Sequence, residues 1–316
     1  MSHFMQGKPS FVNISVTHRC CLKCRHCDIW KIDDGHEEMT SDEIKTAIRK
    51  LRRWLGPFTL NIAGGEPFLR DDMAGIISYA SSHDVSVLTT SNGVLIDKKK
   101  AAGIVDSGIT GISISLEGIK KETHEAIRGH SYDAAVNSLR MLNGRRDGMS
   151  LSIATVLCSK NLDEAVQMVG WAEGLRLNGI NFQPLTQNFG SAYDPNWHRQ
   201  SEFWPKDLSL VNRVIDQLIR LKRHGAPIHN TILQLELIKE YFRDPERTVY
   251  SCKVGNTNFS VNEYGDVLLC FFMKPVGSIL TGDPRKIWSS ALADKRRSQI
   301  SSCKRNCGLL NCNFEN

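Results

Sequence analysis

"SFVNISVTHRCCLKCRHCD", residues 10–28, decides how the rest of the chain is read. Its first eight residues alternate apolar with small polar side chains, the pattern of a half-buried strand, and the run empties into four cysteines within eight positions. The cysteine loop therefore sits at a strand's C-terminal end. In parallel α/β folds ligands collect at that end, so further chemistry is sought where the later strands finish.

Five more strand candidates follow: "TLNIAGG" (59–65), "VSVLTTSNG" (85–93), "GISISLEG" (111–118), "LSIATVLC" (151–158) and "GINFQPL" (179–185). Helical patterns separate them. "TSDEIKTAIRKLRRWLG" (40–56) opens on Thr40 or Ser41 as N-cap, carries carboxylates in its first turn and closes on Gly56. "LDEAVQMVGWAEGLRLNG" (162–179) does much the same before the sixth strand. Six strand–helix units predict an α/β fold with six parallel strands, as an open doubly wound sheet or a partial barrel.

After residue 186 the rhythm breaks into "TQNFGSAYDPNWHRQSEFWP" (186–205), whose Phe189, Tyr193, Trp197, Phe203 and Trp204 are expected to cap the barrel mouth or to pack the barrel onto the tail. Helical segments at 207–225 and 231–244 come next, and a boundary near residue 245 divides a core, 1–245, from a tail, 246–316. The tail has strand pieces "TNFSVN" (257–262) and "DVLLCFF" (266–272) around a turn at Gly265. It is too small to be held by apolar burial alone, and a bound metal would add the missing stability.

Composition excludes several classes. With 316 residues, 41% hydrophobic and 23% charged, the chain is an ordinary globular protein, not a disordered or fibrous one. No secretory signal opens it, and no apolar run approaches the roughly 18 residues that span a bilayer, which points to a cytoplasmic protein without a membrane partner. The net charge of +6 is spread over "RKLRRW" (49–54), "DKKK" (97–100) and "LKRHG" (221–225). These read as solvated helix faces, so no nucleic-acid partner is expected.

Nine of the ten cysteines fall in two groups, with Cys158 alone between them as a buried small hydrophobe. In a reducing compartment such groups mean metal. Cys20, Cys24 and Cys27 form C-x3-C-x2-C and supply three thiolates from one loop, with Cys21 a spare. A structural zinc site wants four ligands, so a zinc knuckle needs His18 or His26 to complete it. Three ligands suit an iron–sulfur cubane that keeps one iron open to a small molecule.

At this point the chain resembles the radical S-adenosylmethionine (SAM) enzymes, whose hallmark is this three-cysteine loop after the first strand of a partial (β/α)6 barrel. The slot before the last cysteine, aromatic in many members, holds His26, and many members carry Asn where this chain has Cys21. The resemblance implies that a 4Fe–4S cluster on Cys20, Cys24 and Cys27 binds SAM. It further implies that Gly64, Gly65 and Glu66 of "AGGEP" hold the methionyl amino group and that Ser115 and Arg128 engage the carboxylate. Asn92 and the backbone at Leu185 would make further cofactor contacts. In the tail, Cys252, Gly265 and Cys270 give C-x12-G-x4-C, followed by Cys303, Cys307 and Cys312. This resembles the auxiliary-cluster region called SPASM, or its shorter twitch form. Five cysteines favour one auxiliary 4Fe–4S cluster, on Cys252, Cys270 and two of the last three; a zinc ribbon is the competing reading.

By resemblance, one electron from a flavodoxin- or ferredoxin-type donor cleaves SAM to a 5'-deoxyadenosyl radical, which abstracts a substrate hydrogen; no single catalytic side chain is assigned. An auxiliary cluster would take up the remaining electron, which favours an oxidoreductase. Peptide-modifying members often carry an added N-terminal recognition domain, whereas here strand one begins almost at once. A small metabolite such as a sugar or nucleoside is therefore the expected substrate, with maturation of a ribosomally made peptide as the alternative. A non-catalytic iron–sulfur carrier or a zinc-stabilised binding module is the reading of another class.

Overall fold

The computed structural model describes residues 7–32, 35–187, 194–246 and 252–303. Strand β1 (Phe11–Ser15) leads through the cysteine loop to α1 (Ser41–Leu55), followed by β2 (Phe58–Ala63), α2 (Met73–Ser81), β3 (Val85–Ser91), α3 (Lys98–Asp106) and β4 (Gly111–Ser115). Helices α4 (Lys121–Arg128) and α5 (Tyr132–Asn143) precede β5 (Ser150–Leu157), α6 (Leu162–Gly174) and β6 (Gly179–Pro184). A single turn, α7 (Trp197–Gln200), and two longer helices, α8 (Leu208–Arg223) and α9 (Ile232–Arg243), complete this part. The tail holds α10 (Val254–Thr257), β7 (Asn258–Val261), β8 (Asp266–Leu268), β9 (Gly277–Ser278), α11 (Pro284–Trp288) and α12 (Ala291–Ser301).

Strands β1 to β6 pair in parallel and in chain order, which is the partial (β/α)6 barrel. The tail then extends the same sheet. Strand β7 runs parallel to β1, with Phe11 to Ile14 in register with Asn258 to Val261, and β8 and β9 add on in antiparallel fashion. The expected hairpin is present, with its turn at Gly265 at a φ of 87°. Its pairing with β1 had no local signal. Backbone hydrogen bonds, and an aromatic cluster of Trp54, Phe259 and Trp288, thus join the tail to the core.

Local chemistry explains the elements. Thr40 accepts from the Glu43 N–H while the Glu43 side chain accepts from the Thr40 N–H, a capping box that starts α1. Gly56, at a φ of 83°, ends it. Ile44, Ala47, Ile48 and Leu51 fall on one face and are buried, and each of the larger side chains contributes roughly 2 kcal/mol by leaving water. Helix α6 stops at Gly174, short of the 162–179 read from sequence, because the chain reverses through Arg176 at a φ of 53°.

The two faces of the sheet differ. On β3, Val85, Val87, Thr89 and Ser91 are buried toward the helices, while Ser86, Leu88 and Thr90 are exposed on the concave side. The inner side of β3 is therefore open, whereas Asn13, Ser152 and Ser260, on the same face by register, are buried.

The aromatic segment departs from expectation. Trp204 stacks edge-on against Trp197, Tyr241 and Phe242, so it packs on α9 and neither faces the barrel interior nor joins the tail. Phe203 lies under the Arg25 guanidinium. Phe189 and Tyr193 lie outside the described residues.

Candidate active site

The cysteine loop is clamped by the glycine pair. Gly65 N–H donates to the Thr17 carbonyl at 2.8 Å and Glu66 N–H to the Arg19 carbonyl at 2.9 Å. A Cβ on Gly64 would lie 2.2 Å from the Thr17 oxygen, and one on Gly65 would lie 2.2 Å from the Arg19 oxygen. Gly64 also holds a φ of 141°. The tight approach is to the backbone that leads from β1 into Cys20.

A cavity of about 310 Å³ opens at the C-terminal ends of the strands. Cys20, Cys24 and Cys27 line it together, with His26, Gly64, Gly65, Asn92, Ser115, Arg128 and Leu185 around them. Glu66 is not brought into it. Its buried carboxylate accepts from Phe68 N–H, Ser91 Oγ and Asn92 N–H at 3.2, 2.8 and 2.8 Å, so three of about four acceptor positions are taken. The Asn92 amide points at the cysteines, 3.3 Å from Cys21 Sγ and 3.9 Å from Cys20 Sγ. Leu185 offers its side chain, because its N–H binds the Leu157 carbonyl and its own carbonyl accepts from Tyr241 Oη at 3.0 Å.

Arg128 is held by Glu117, a residue that sequence reasoning missed although it stands in the quoted "SLEG". Nε of Arg128 donates to Glu117 Oε1 at 2.6 Å, and Nη1 reaches Cys24 Sγ at 3.8 Å. The other Glu117 oxygen accepts from Val156 N–H at 2.7 Å, and the Glu117 N–H donates to Nδ1 of His124. Glu117 and His124 are both fully buried.

Electrostatics follow from burial. Desolvation pushes the Cys24 and Cys27 thiols up, and Arg128 offsets part of that rise at both. Cys20 is lowered by the hydrogen bond from Cys21, and the same bond raises Cys21. Burial, reinforced by Arg128, holds His26 at about 3 and leaves its ring neutral. Nδ1 of His26 is buried without a partner among the described residues. Cys158 is buried and pushed up to about 12, as a structural cysteine should be.

The donor set fits an iron–sulfur cluster. Among the described residues no three His, Cys, Asp or Glu side chains are grouped to hold a single ion. The three thiols instead ring a cavity, with soft ligands of the kind that clusters use. In the tail, α10 packs on α12, and Cys252 is raised by burial with Cys303 close enough to add to the rise. Cys270 packs against the same core. Cys307 and Cys312 lie outside the described residues.

A parallel α/β barrel whose first strand ends in three cavity-facing thiols defines an iron–sulfur enzyme of the barrel type. The family models agree: residues 14–172 match the radical SAM superfamily and residues 252–313 match the SPASM iron–sulfur cluster-binding domain. The chain belongs to the radical SAM superfamily and is an enzyme, with 4Fe–4S clusters and SAM as its cofactors. It is 36% identical to mycofactocin maturase MftC of Mycobacterium tuberculosis, over 95% of this chain and 76% of that protein. It is 24% identical to AdoMet-dependent heme synthase of Methanosarcina barkeri, over 96% of this chain and 89% of that one. The structure of SuiB from Streptococcus suis bound to its precursor peptide SuiA superposes with a TM-score of 0.71 at 15% identity, covering 92% of this chain and 67% of that chain. No described helix is long and apolar enough to cross a membrane.

Proposed function

We propose that this enzyme matures a peptide by oxidative radical chemistry, in place of the small-metabolite oxidation expected from the sequence. The observation that carries the reading is the exposed inner side of β3. Ser86, Leu88 and Thr90 stay exposed along the full length of β3, on the same face as the cavity, so an extended segment can lie along the sheet with one residue delivered to the site. A compact metabolite needs no such length. Among the described lining residues Arg128 alone carries a fixed charge, and Asn61, Thr90 and Gln183 offer amides and hydroxyls that match a peptide backbone. The maturase MftC and the SuiB–SuiA complex support the same class. The likeness to a heme synthase keeps a small-molecule substrate as the second reading.

In this reading residues 1–245 form the catalytic core and 246–316 the auxiliary region. Cys20, Cys24 and Cys27 hold the first cluster. Cys252, Cys270, Cys303 and one of Cys307 and Cys312 hold a single auxiliary cluster. Gly64 and Gly65 receive the SAM ammonium, with Glu66 buried behind them, Ser115 and Arg128 its carboxylate, and His26, Asn92 and Leu185 border the rest of the cofactor. Once bound, the cluster and SAM supply hydrogen-atom abstraction from a C–H bond after one electron from a flavodoxin- or ferredoxin-type donor. The chain's own residues position the cofactor, exclude water and present the substrate.

The test is anaerobic incubation of the reconstituted enzyme, SAM and reductant with short peptides encoded beside its gene, read by mass spectrometry. Loss of the mass of two hydrogens, alone or together with carbon dioxide, from one peptide supports the reading. Unmodified peptides, alongside turnover of a small metabolite, overturn it.

A further inference from the structure

Glu117 has the features of a group selected for placement. Its carboxylate is fully buried, where an unpaired charge is costly, and it is anchored at both oxygens. Val156 N–H fixes one oxygen from strand β5, and the Glu117 N–H is itself fixed by His124, whose Nε2 lies 2.9 Å from Ser131 Oγ. Only the remaining oxygen faces Arg128, at 2.6 Å from Nε. That bond sets the plane of the guanidinium and leaves Nη1 directed at Cys24 Sγ, 3.8 Å away, within reach for the larger sulfur atom. The Arg128 side chain is 14% exposed, so water screens it little. An arginine guanidinium is not deprotonated in a protein, so the charge is fixed.

We propose that Glu117 is a positioning residue that aims Arg128 at the Cys24 sulfur, so that a fixed positive charge and N–H donor at that ligand make the first cluster easier to reduce. The proposal rests on Cys24 being a cluster ligand. The physical basis is general: an added electron makes the cluster more negative, and donors or cations at its sulfurs stabilise that form. Glu117 carries the opposite charge and by itself disfavours reduction. Its two possible roles therefore separate by experiment.

The experiment is an anaerobic redox titration of the reconstituted holoenzyme without SAM, following the paramagnetic signal identified beforehand by its change on SAM addition. Arg128→Met is expected to cut the reduced fraction at fixed potential about tenfold, about 59 mV for one electron, the effect of one charge-assisted hydrogen bond. Glu117→Asp keeps the charge but withdraws it by one methylene. It is expected to lower the reduced fraction by about threefold, and to add nothing in the Arg128→Met background. A Glu117→Asp midpoint equal to that of the unmodified enzyme, or a shift that persists undiminished without Arg128, overturns the proposal. Iron content is measured on every variant, and Cys24→Ala tests the underlying reading separately. Retention of the full SAM-responsive signal in Cys24→Ala would remove Cys24 as a ligand, an outcome that neither Glu117→Asp nor Arg128→Met produces.

Discussion

The Tyr264 hydroxyl lies 3.2 Å from Nδ1 of His18, so the turn of the tail's hairpin touches the chain two residues before Cys20. The contact belongs to a larger knot. One Glu38 oxygen accepts from Thr17 Oγ at 2.6 Å and from His18 N–H at 3.0 Å, and the other lies 3.4 Å from Arg19. Met39 N–H donates to the Glu263 carbonyl at 2.7 Å. The entrance to the cysteine loop and the tail hairpin therefore share one hydrogen-bonded corner.

Loss of the Tyr264 hydroxyl alone should be mild. Tyr264→Phe is expected to cost about 1 kcal/mol, whereas Glu38→Ala strands the Thr17 hydroxyl and the His18 N–H and should cost about 2–3 kcal/mol. Anaerobic urea midpoints on the holoenzyme check the order. Equal costs for the two would show that Glu38 does not organise the corner.

The glycine clamp predicts a sharper effect. Gly65→Ala puts a methyl group 2.2 Å from the Arg19 carbonyl oxygen, and backbone has to move to relieve it. Iron content should fall by about one cluster's worth while the auxiliary signal remains. A variant with full iron would mean that the loop tolerates displacement from β2.

His124 predicts a pH dependence. Burial, with a further contribution from Arg128, lowers its pKa from 6.5 to about 3 in the folded chain. The unfolded chain therefore binds the extra proton first as pH falls. The native state keeps its full margin above pH 6.5 and loses stability progressively toward pH 3, by about 2 kcal/mol at pH 5. His124→Asn retains an acceptor for the Glu117 N–H but does not titrate, so the slope of stability between pH 5 and 7 should flatten. Urea midpoints across that range measure it, and an unchanged slope would assign the acid sensitivity elsewhere.

Several features were legible because they are local. The cysteine spacing, the capping residue Thr40, the six strand runs and the turn at Gly265 each carry their signal within a few residues, and all appear in the structure. What was hidden is long-range. Nothing near Asn258 announces a partner in Phe11, and aromatic content at Trp197 and Trp204 indicates burial without naming α9 as the surface that provides it. Glu117 escaped for a related reason. Its chemistry comes from Arg128, one helix later, and from Val156, one strand later, and no spacing rule joins the three.

The central claim is that thiols at Cys20, Cys24 and Cys27 hold a cluster with one open position, while Cys21, which does not line the cavity, is dispensable. The most direct measurement is the low-temperature paramagnetic spectrum of the reduced, air-free enzyme before and after SAM is added, for the unmodified chain, Cys21→Ala and Cys24→Ala. The account predicts a SAM-dependent spectral change in the first two and none in Cys24→Ala. A spectrum indifferent to SAM in the unmodified enzyme, or a full response in Cys24→Ala, would contradict it.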